Sequence, residues 1–307
     1  MTDMILRLLF HLLLLCLFAP LLPAVIARTK ALVAGRRGAP VLQLYRDLWR
    51  LFRKGMVLSS TTTWIFRAGP VIGFVVPVLA CLFLPFGPVG AVVSFNGDLL
   101  LFVYLFGLAR FFTVLAALDT GSSFEGMGAA REATFACLAE PTILVVFIVL
   151  SRYTGSLALD SMLGAHLHQV HYALGEASIA LAAVCLFIVI LAENCRIPFD
   201  DPNTHLELTM IHEVMVLDHS GPDLGLILYG AAMKLLVLGS LVVNFVVPPL
   251  PGHPFLGTAL FVGTLLALAI LIGLIESTMA RLRLTRVPQM LIGTSLLSFF
   301  ALILLLR

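Results

Sequence analysis

Residues 177–195 read ASIALAAVCLFIVILAENC, an apolar run that ends in Glu193 and gives way at once to RIPFDDP at 196–202. As a helix rising about 1.5 Å per residue, such a run crosses a hydrocarbon core of about 30 Å. Runs of the same kind recur along the whole chain, at 4–27, 68–88, 97–118, 133–151, 224–248, 255–276 and 287–306. Of the 307 residues, 60% are hydrophobic and 12% are charged, with a mean hydropathy of +1.07. A soluble fold of this composition lacks the polar surface to cover itself. The sequence therefore predicts an all-α integral membrane protein, a single polytopic domain over 1–307 with about eight transmembrane helices.

The basic residues test that span count. On an eight-span reading one face collects Arg28, Lys30, Arg36, Arg37, Arg46, Arg50, Arg53, Lys54, Arg67, Arg131, Arg196, Arg281, Arg283 and Arg286, fourteen of the 19. The opposite face holds Arg7, Arg152 and Arg307, and Arg110 and Lys234 fall inside spans. Losing or merging one span would scatter this set over both faces. The positive-inside rule makes the rich face cytoplasmic. The first 27 residues superficially resemble a signal peptide. Their long apolar run, followed directly by Arg28, Lys30, Arg36 and Arg37, reads instead as an uncleaved first span.

Between the first two spans, PVLQLYRDLWRLFRK at 40–54 places Leu42, Tyr45, Leu48, Trp49 and Phe52 at helical spacing, with the charges largely on the other side. This predicts an amphipathic helix along the cytoplasmic membrane surface or against a partner. The net charge of +2, with no aromatic-interleaved basic block, excludes nucleic acid as a partner.

Arg110, Glu140, Glu193, Lys234 and Glu276 lie within spans. Each costs about 2.5–3.5 kcal/mol at a helix centre, so they are expected to face the bundle interior and to mark a pathway or a pairing. Glu140 and Arg110 fall roughly 12 Å in from the cytoplasmic ends of their helices, Lys234 falls near the midplane, and Glu193 and Glu276 lie a few Å inside. With Glu132 at the mouth, the set descends like a proton-accessible funnel, and the other half of the bundle is expected to be nearly charge-free. Structural salt bridges linking Arg110 and Lys234 to Glu140 and Glu193 are the other reading. Pro141, directly after Glu140, removes a backbone hydrogen bond and makes room for water.

HLELTMIHEVMVLDHSGPD at 205–223 invites a metal reading, but His212-Glu213 begins an HExxH motif that Val216 leaves incomplete. His205, His212 and His219 instead suit the polar lining of a cavity. The five cysteines have no metal-ligand spacing, and the glycines of GSSFEGMG lack the strand and the Lys-Ser/Thr of a phosphate loop. No catalytic constellation and no metal site emerge.

The loops carry a family resemblance. GRRGAPVLQLYRDLWRLF at 35–52, GAARE at 128–132, AENCRIPFDDP at 192–202 and ESTMARLRL at 276–284 resemble the membrane subunit shared by respiratory complex I and by formate hydrogenlyase-type, energy-converting nickel-iron hydrogenases. The short first loop and DTGSSFEGMGAAREA look closer to the hydrogenase branch. The resemblance implies a non-catalytic anchor in a bacterial or archaeal inner membrane, docking hydrogenase-like large and small subunits and an iron-sulfur subunit, and coupling them to antiporter-like membrane subunits that move protons or sodium. Nickel-iron and iron-sulfur centres would reside in the partners, with no cofactor on this chain. Arg36, Arg37, Arg46, Arg131, Arg196, Asp200 and Asp201 would shape the redox-arm interface. Family proton-path carboxylates map onto Glu140, Glu193 and Glu207, with Arg110, Glu132, Lys234, Glu276, Glu213 and Asp218 around them. Asn203 and His205 replace acidic residues of the family pattern, and Asp218-His219-Ser220-Gly221 stands where complex I has Glu-Tyr-Ser-Gly. The expectation is a residual cavity without a quinone, and the alternative is the quinone-site subunit of a complex I-like enzyme. A stand-alone transporter is disfavoured because no inverted repeat appears.

Overall fold

The computed structural model describes residues 2–164, 167, 175–200, 211–248, 250 and 253–306. Its helices are α1 (Thr2–Phe18), α2 (Leu21–Val33), α3 (Gln43–Arg53), α4 (Trp64–Ala80), α5 (Asp98–Asp119), α6 (Ser123–Thr154), the short α7 (Leu159–Leu163), α8 (Gly175–Glu193), α9 (Gly221–Val246), α10 (Pro254–Thr278) and α11 (Val287–Leu306). Short 3-10 turns cover Cys81–Phe83 and Glu213–Val216. Among the described residues there is no strand, and eight helices or helix pairs are long and apolar enough to cross a membrane. The protein is a multi-pass, all-α membrane bundle.

Where the observed helices differ from the sequence reading, prolines and loops explain it. The first span is not one helix over 4–27 but α1 and α2, broken at Ala19–Pro20 and running on to Val33. Pro20 has no N–H to return to the Cys16 carbonyl, and the Tyr229 hydroxyl of α9 donates to that oxygen instead, at 2.9 Å. The Tyr45 hydroxyl of α3 donates to the neighbouring Leu17 carbonyl. α2 then ends at Gly35, whose φ of +68° lets the Gly35 and Arg36 amides bond back to the Leu32 and Ala31 carbonyls. α6 begins ten residues before the expected 133, because the glycine-rich segment from Ser123 is already helical and extends beyond the apolar run.

α9 is the central helix, with 67% of its span enclosed against at most 44% for the others. It packs on α3, α4, α8 and α10; α4 adjoins α5, α10 adjoins α2, and α11 fills the angle between α6 and α8. Lipid tails are as apolar as the side chains, so close backbone approach does much of the work of holding these helices together. Pro77 leaves the Gly73 carbonyl of α4 without its helical donor, and Gly230 of α9 packs directly onto that oxygen: a Cβ at 230 would sit 2.6 Å away.

The face opposite the basic loops is less apolar than expected. His11 and Asp98 are fully buried there. Asp98 accepts from the Leu159 amide at 2.8 Å, capping α7, and Asp160 accepts from the Ala91 amide at 2.7 Å. The His11 ring nitrogens lie 2.8 Å and 3.1 Å from the Arg7 and Leu84 carbonyls. These polar groups tie down loops that the sequence reading treated as packing.

Gly230→Ala is expected to destabilise the chain by about 1–3 kcal/mol, since backbone must shift to admit the methyl group. Gly73→Ala, whose Cβ would meet nothing within 4 Å, is expected to be neutral. Thermal melting of the two purified variants side by side checks this.

Candidate functional site: a buried charge cluster at the end of a cavity

The cluster is assembled from four helices around Arg110 of α5. On α6, Glu132 and Glu140 are eight residues apart, about 12 Å along the axis, and the guanidinium lies between them. Arg110 Nη1 donates to Glu140 Oε1 at 2.6 Å, and Nη2 donates to Glu193 Oε1, at the last residue of α8. Its Nε lies 3.2 Å from Glu132 Oε1 without hydrogen-bond alignment. Lys234 of α9 donates to the other oxygen of Glu193 at 2.8 Å. The planar fork of an arginine is what allows one side chain to meet three carboxylates; a lysine in its place could not.

Toward the basic loops the cluster continues through His212, whose Nε2 is 3.1 Å from Glu132 Oε2. Burial works to lower the His212 pKa, but Cys195 and Glu132 beside it raise it well above the ordinary value. Burial pushes the Cys195 thiol up, so that thiol is neutral and the Glu132 carboxylate is the charge that sustains the imidazolium. Three cations, Arg110, Lys234 and His212, thus balance Glu132, Glu140 and Glu193. Cys195, at φ +54°, makes the left-handed turn that ends α8, and the Arg196 amide bonds back to Leu191. Arg196 then lies 3.5 Å from Glu276, which Lys30 approaches at 2.9 Å. Asp200 pairs with Arg281 at 2.9 Å and accepts from the Ile211 and His212 amides.

A cavity of about 610 Å³ joins these layers: Asp47 of the amphipathic helix, Asp200 and His212 line it near the basic loops, and Arg110, Glu193 and Lys234 line it inside the membrane. A second void of about 30 Å³ is lined by Arg110, Glu140 and Glu193. The salt bridges of the structural reading form, and they lie at the inner end of a cavity.

The structure brings together Arg110, Glu132, Glu140, Glu193 and Lys234, with Glu276 and Glu213 on the cavity wall. Asp218 is different: it is exposed and reaches the interior only through its amide, which donates to the buried Glu125 at 3.1 Å. Of the expected interface residues, Arg36, Arg37 and Arg46 are exposed and Arg131 is half-buried, whereas Arg196 and Asp200 are turned inward in ion pairs and brace the cavity instead of presenting a surface. Asp201, Glu207, Asn203 and His205 lie outside the described residues. The sequence reading missed Lys30 as the partner of Glu276 and Arg281 as that of Asp200. A charge balance of the span ends on the basic face would have raised both, because each buried carboxylate there needs a cation within reach.

Burial against Phe66, with ring centroids 3.9 Å apart, depresses His219 to about 4. A base depressed in the folded state supports stability above its unfolded value near 6.5 and loses that support as pH falls toward about 4. His212, raised in the folded state, supports stability below about 6.5 and loses that support as pH rises through its raised value. Melting temperatures across pH are therefore expected to fall less on the acid side in His219→Gln than in the parent, and less on the alkaline side in His212→Gln.

The NADH dehydrogenase family profile matches residues 5–306. Formate hydrogenlyase subunit 4 of Escherichia coli is 30% identical over 295 residues, 93% of this chain and 94% of its own length. Hydrogenase-4 component C of the same organism is 30% identical over 237 residues, 76% of this chain and 72% of its own. Among solved structures, a chain of the membrane-bound sulfane sulfur reductase, an archaeal respiratory membrane complex, superposes with a TM-score of 0.83 over 98% of this chain and 99% of that one, at 20% identity, which is a shared fold. With its family match running over residues 5–306 and its eight helices able to span a membrane, the chain belongs to the NADH dehydrogenase family, that of complex I subunit 1.

Proposed function

We propose that this chain is the non-catalytic membrane anchor and ion-coupling subunit of a hydrogenase-type, formate hydrogenlyase-like complex. Its basic face lies in the cytoplasm of a bacterium or archaeon, and its exposed Arg36, Arg37 and Arg46 meet a soluble redox arm of hydrogenase-like large and small subunits and an iron-sulfur subunit. The nickel-iron and iron-sulfur centres belong to that arm. Antiporter-like membrane subunits take over the ion movement.

The observation that carries this reading is the cavity, which runs from loop residues such as Asp200 and His212 to Arg110, Glu193 and Lys234 within the membrane. The names of the two Escherichia coli relatives support the hydrogenase branch. In mechanistic terms, a change in the redox arm that shifts Asp200 or His212 alters the field on Glu132 and, through Arg110, on Glu140 and Glu193. Arg110 bonds both carboxylates, and Lys234 bonds Glu193. Glu193 lines both the cavity and the small void beyond it, so protons pass by way of Glu193 to Glu140.

Glu140→Gln keeps an acceptor for Arg110 and is expected to leave assembly intact while removing most of the ion translocation measured per turnover of the complex in proteoliposomes. Full translocation in that variant takes Glu140 out of the path. The volume of the cavity favours one other reading, the quinone-site subunit of a complex I-like enzyme. Under the hydrogenase reading, a quinone-site inhibitor leaves turnover of the purified complex unchanged; inhibition supports the quinone reading.

A further inference from the structure

On the face opposite the basic loops, α1 is thinly covered along its first turns. No residue from 3 to 10 is buried, and Leu6 and Leu9 are 65% and 57% exposed. His11 is the first buried residue of the helix, with no exposed surface, and its partners are those of a cation. Its Nδ1 lies 2.8 Å from the Arg7 carbonyl of the same helix, and its Nε2 lies 3.1 Å from the Leu84 carbonyl, in the turn that follows α4. Leu84 belongs to no helix, and its carbonyl meets no other donor among the described residues.

A carbonyl oxygen only accepts. A neutral imidazole has one N–H, so it donates to one of these oxygens and turns a bare lone pair toward the other; the imidazolium donates to both. The surroundings suit that charge. The ring stacks on Phe86 with centroids 4.8 Å apart and an interplanar angle of 17°, which sets a cation over the electron-rich face of the phenyl ring. Phe86 is backed in turn by Phe261 of α10 at 5.7 Å. Two charged groups act on the ring, Asp160 of α7 and Arg7 of α1. Arg7 is paired with Asp3 at 3.0 Å, at the exposed start of α1, which leaves Asp160 as the counter-charge. The Ala91 amide donates to Asp160 at 2.7 Å, and a Cβ on the neighbouring Gly90 would stand 3.2 Å from Asp160 Oδ1 and 3.3 Å from Arg7 Nη1. Taking an imidazolium out of water is costly, and two charge-assisted hydrogen bonds, an aromatic face and a carboxylate offset that cost.

We infer that His11 holds a proton in the folded chain and that this proton fastens the first turns of α1 to the turn at 84–91, so that alkalinity on this face releases them. The contact with Arg7 is internal to α1 and persists wherever α1 goes. Once the proton is lost, the ring keeps that local bond and gives up the one to Leu84, which joins two elements. Residues 3–10 then have no buried side chain of their own to hold them against the turn. The device is a proton-operated clasp on the side of the bundle away from the cavity, and it stands apart from the coupling role proposed above.

Hydrogen–deuterium exchange of the intact purified complex tests this between about pH 6 and about pH 9, read by mass spectrometry on peptides covering 84–91 and corrected for the intrinsic pH dependence of exchange. This turn is expected to exchange about tenfold faster at the alkaline end in the parent, and to show no such step in His11→Gln, whose amide donates without titrating. Exchange in the parent that stays flat across the range overturns the inference, and so does a step that persists in His11→Gln. Where His11→Gln fails to assemble, Asp160→Asn decides the matter, because it keeps an acceptor for the Ala91 amide and removes the charge. The step is then expected to move toward acid by about one pH unit. A step that stays where the parent has it overturns the inference.

Discussion

One guanidinium bonded to carboxylates on two other helices constrains the rest of the structure. Arg110 cannot lie in a bilayer unless its charge is met, and the groups that meet it come from α6 and α8. Those helices must therefore converge on α5 at one depth. The same requirement reaches α9 through Lys234, which shares Glu193, and the loop before α9 through His212, which shares Glu132. Removing one member leaves its partner charged and buried, the costly way to break such a pair. The network thus specifies the relative heights of four helices that apolar packing alone would leave free to slide.

The cavity is the geometric counterpart of that network. Prolines at 70 and 77 and glycines at 69 and 73 in α4 line or flank the space above Arg110. The Gly73–Gly230 contact brings α4 and α9 together at the cavity wall. Small residues make the contact where helices must touch, while α2 and the amphipathic α3 complete the wall toward the basic loops. A polar floor lies under an apolar wall, and the far half of the bundle is filled by buried side chains such as Phe86, Phe102 and Phe147.

Much of this was legible in the sequence for a plain physical reason: in a membrane, length and polarity report position directly. The spans, the amphipathic helix and the membership of Arg110, Glu140, Glu193 and Lys234 in one set follow from where charge interrupts apolar runs. What the sequence could not show was pairing across distance. Glu193 and Lys234 are 41 residues apart, Lys30 and Glu276 much further, and nothing local links them. Arg196 and Asp200 looked like surface because they sit in a charged loop, yet the turn at Cys195 swings them inward. His212 looked like part of a broken metal motif, when its partner was a carboxylate on another helix. The break at Pro20 was hidden because the apolar run continues through it unaltered.

That break bears on how the chain is made. The carbonyl that Pro20 leaves open, at Cys16, is satisfied by a tyrosine 213 residues later. Since ribosomes deliver the chain from its amino end, the first span enters the bilayer well before α9 exists, and until then an unmet carbonyl must draw on water or on a temporary neighbour. The segment is therefore finished only when Tyr229 arrives beside it. Early and late parts of the polypeptide complete one another, so a shortened product that stops before α9 would carry a flaw in its first helix that no later folding step could mend.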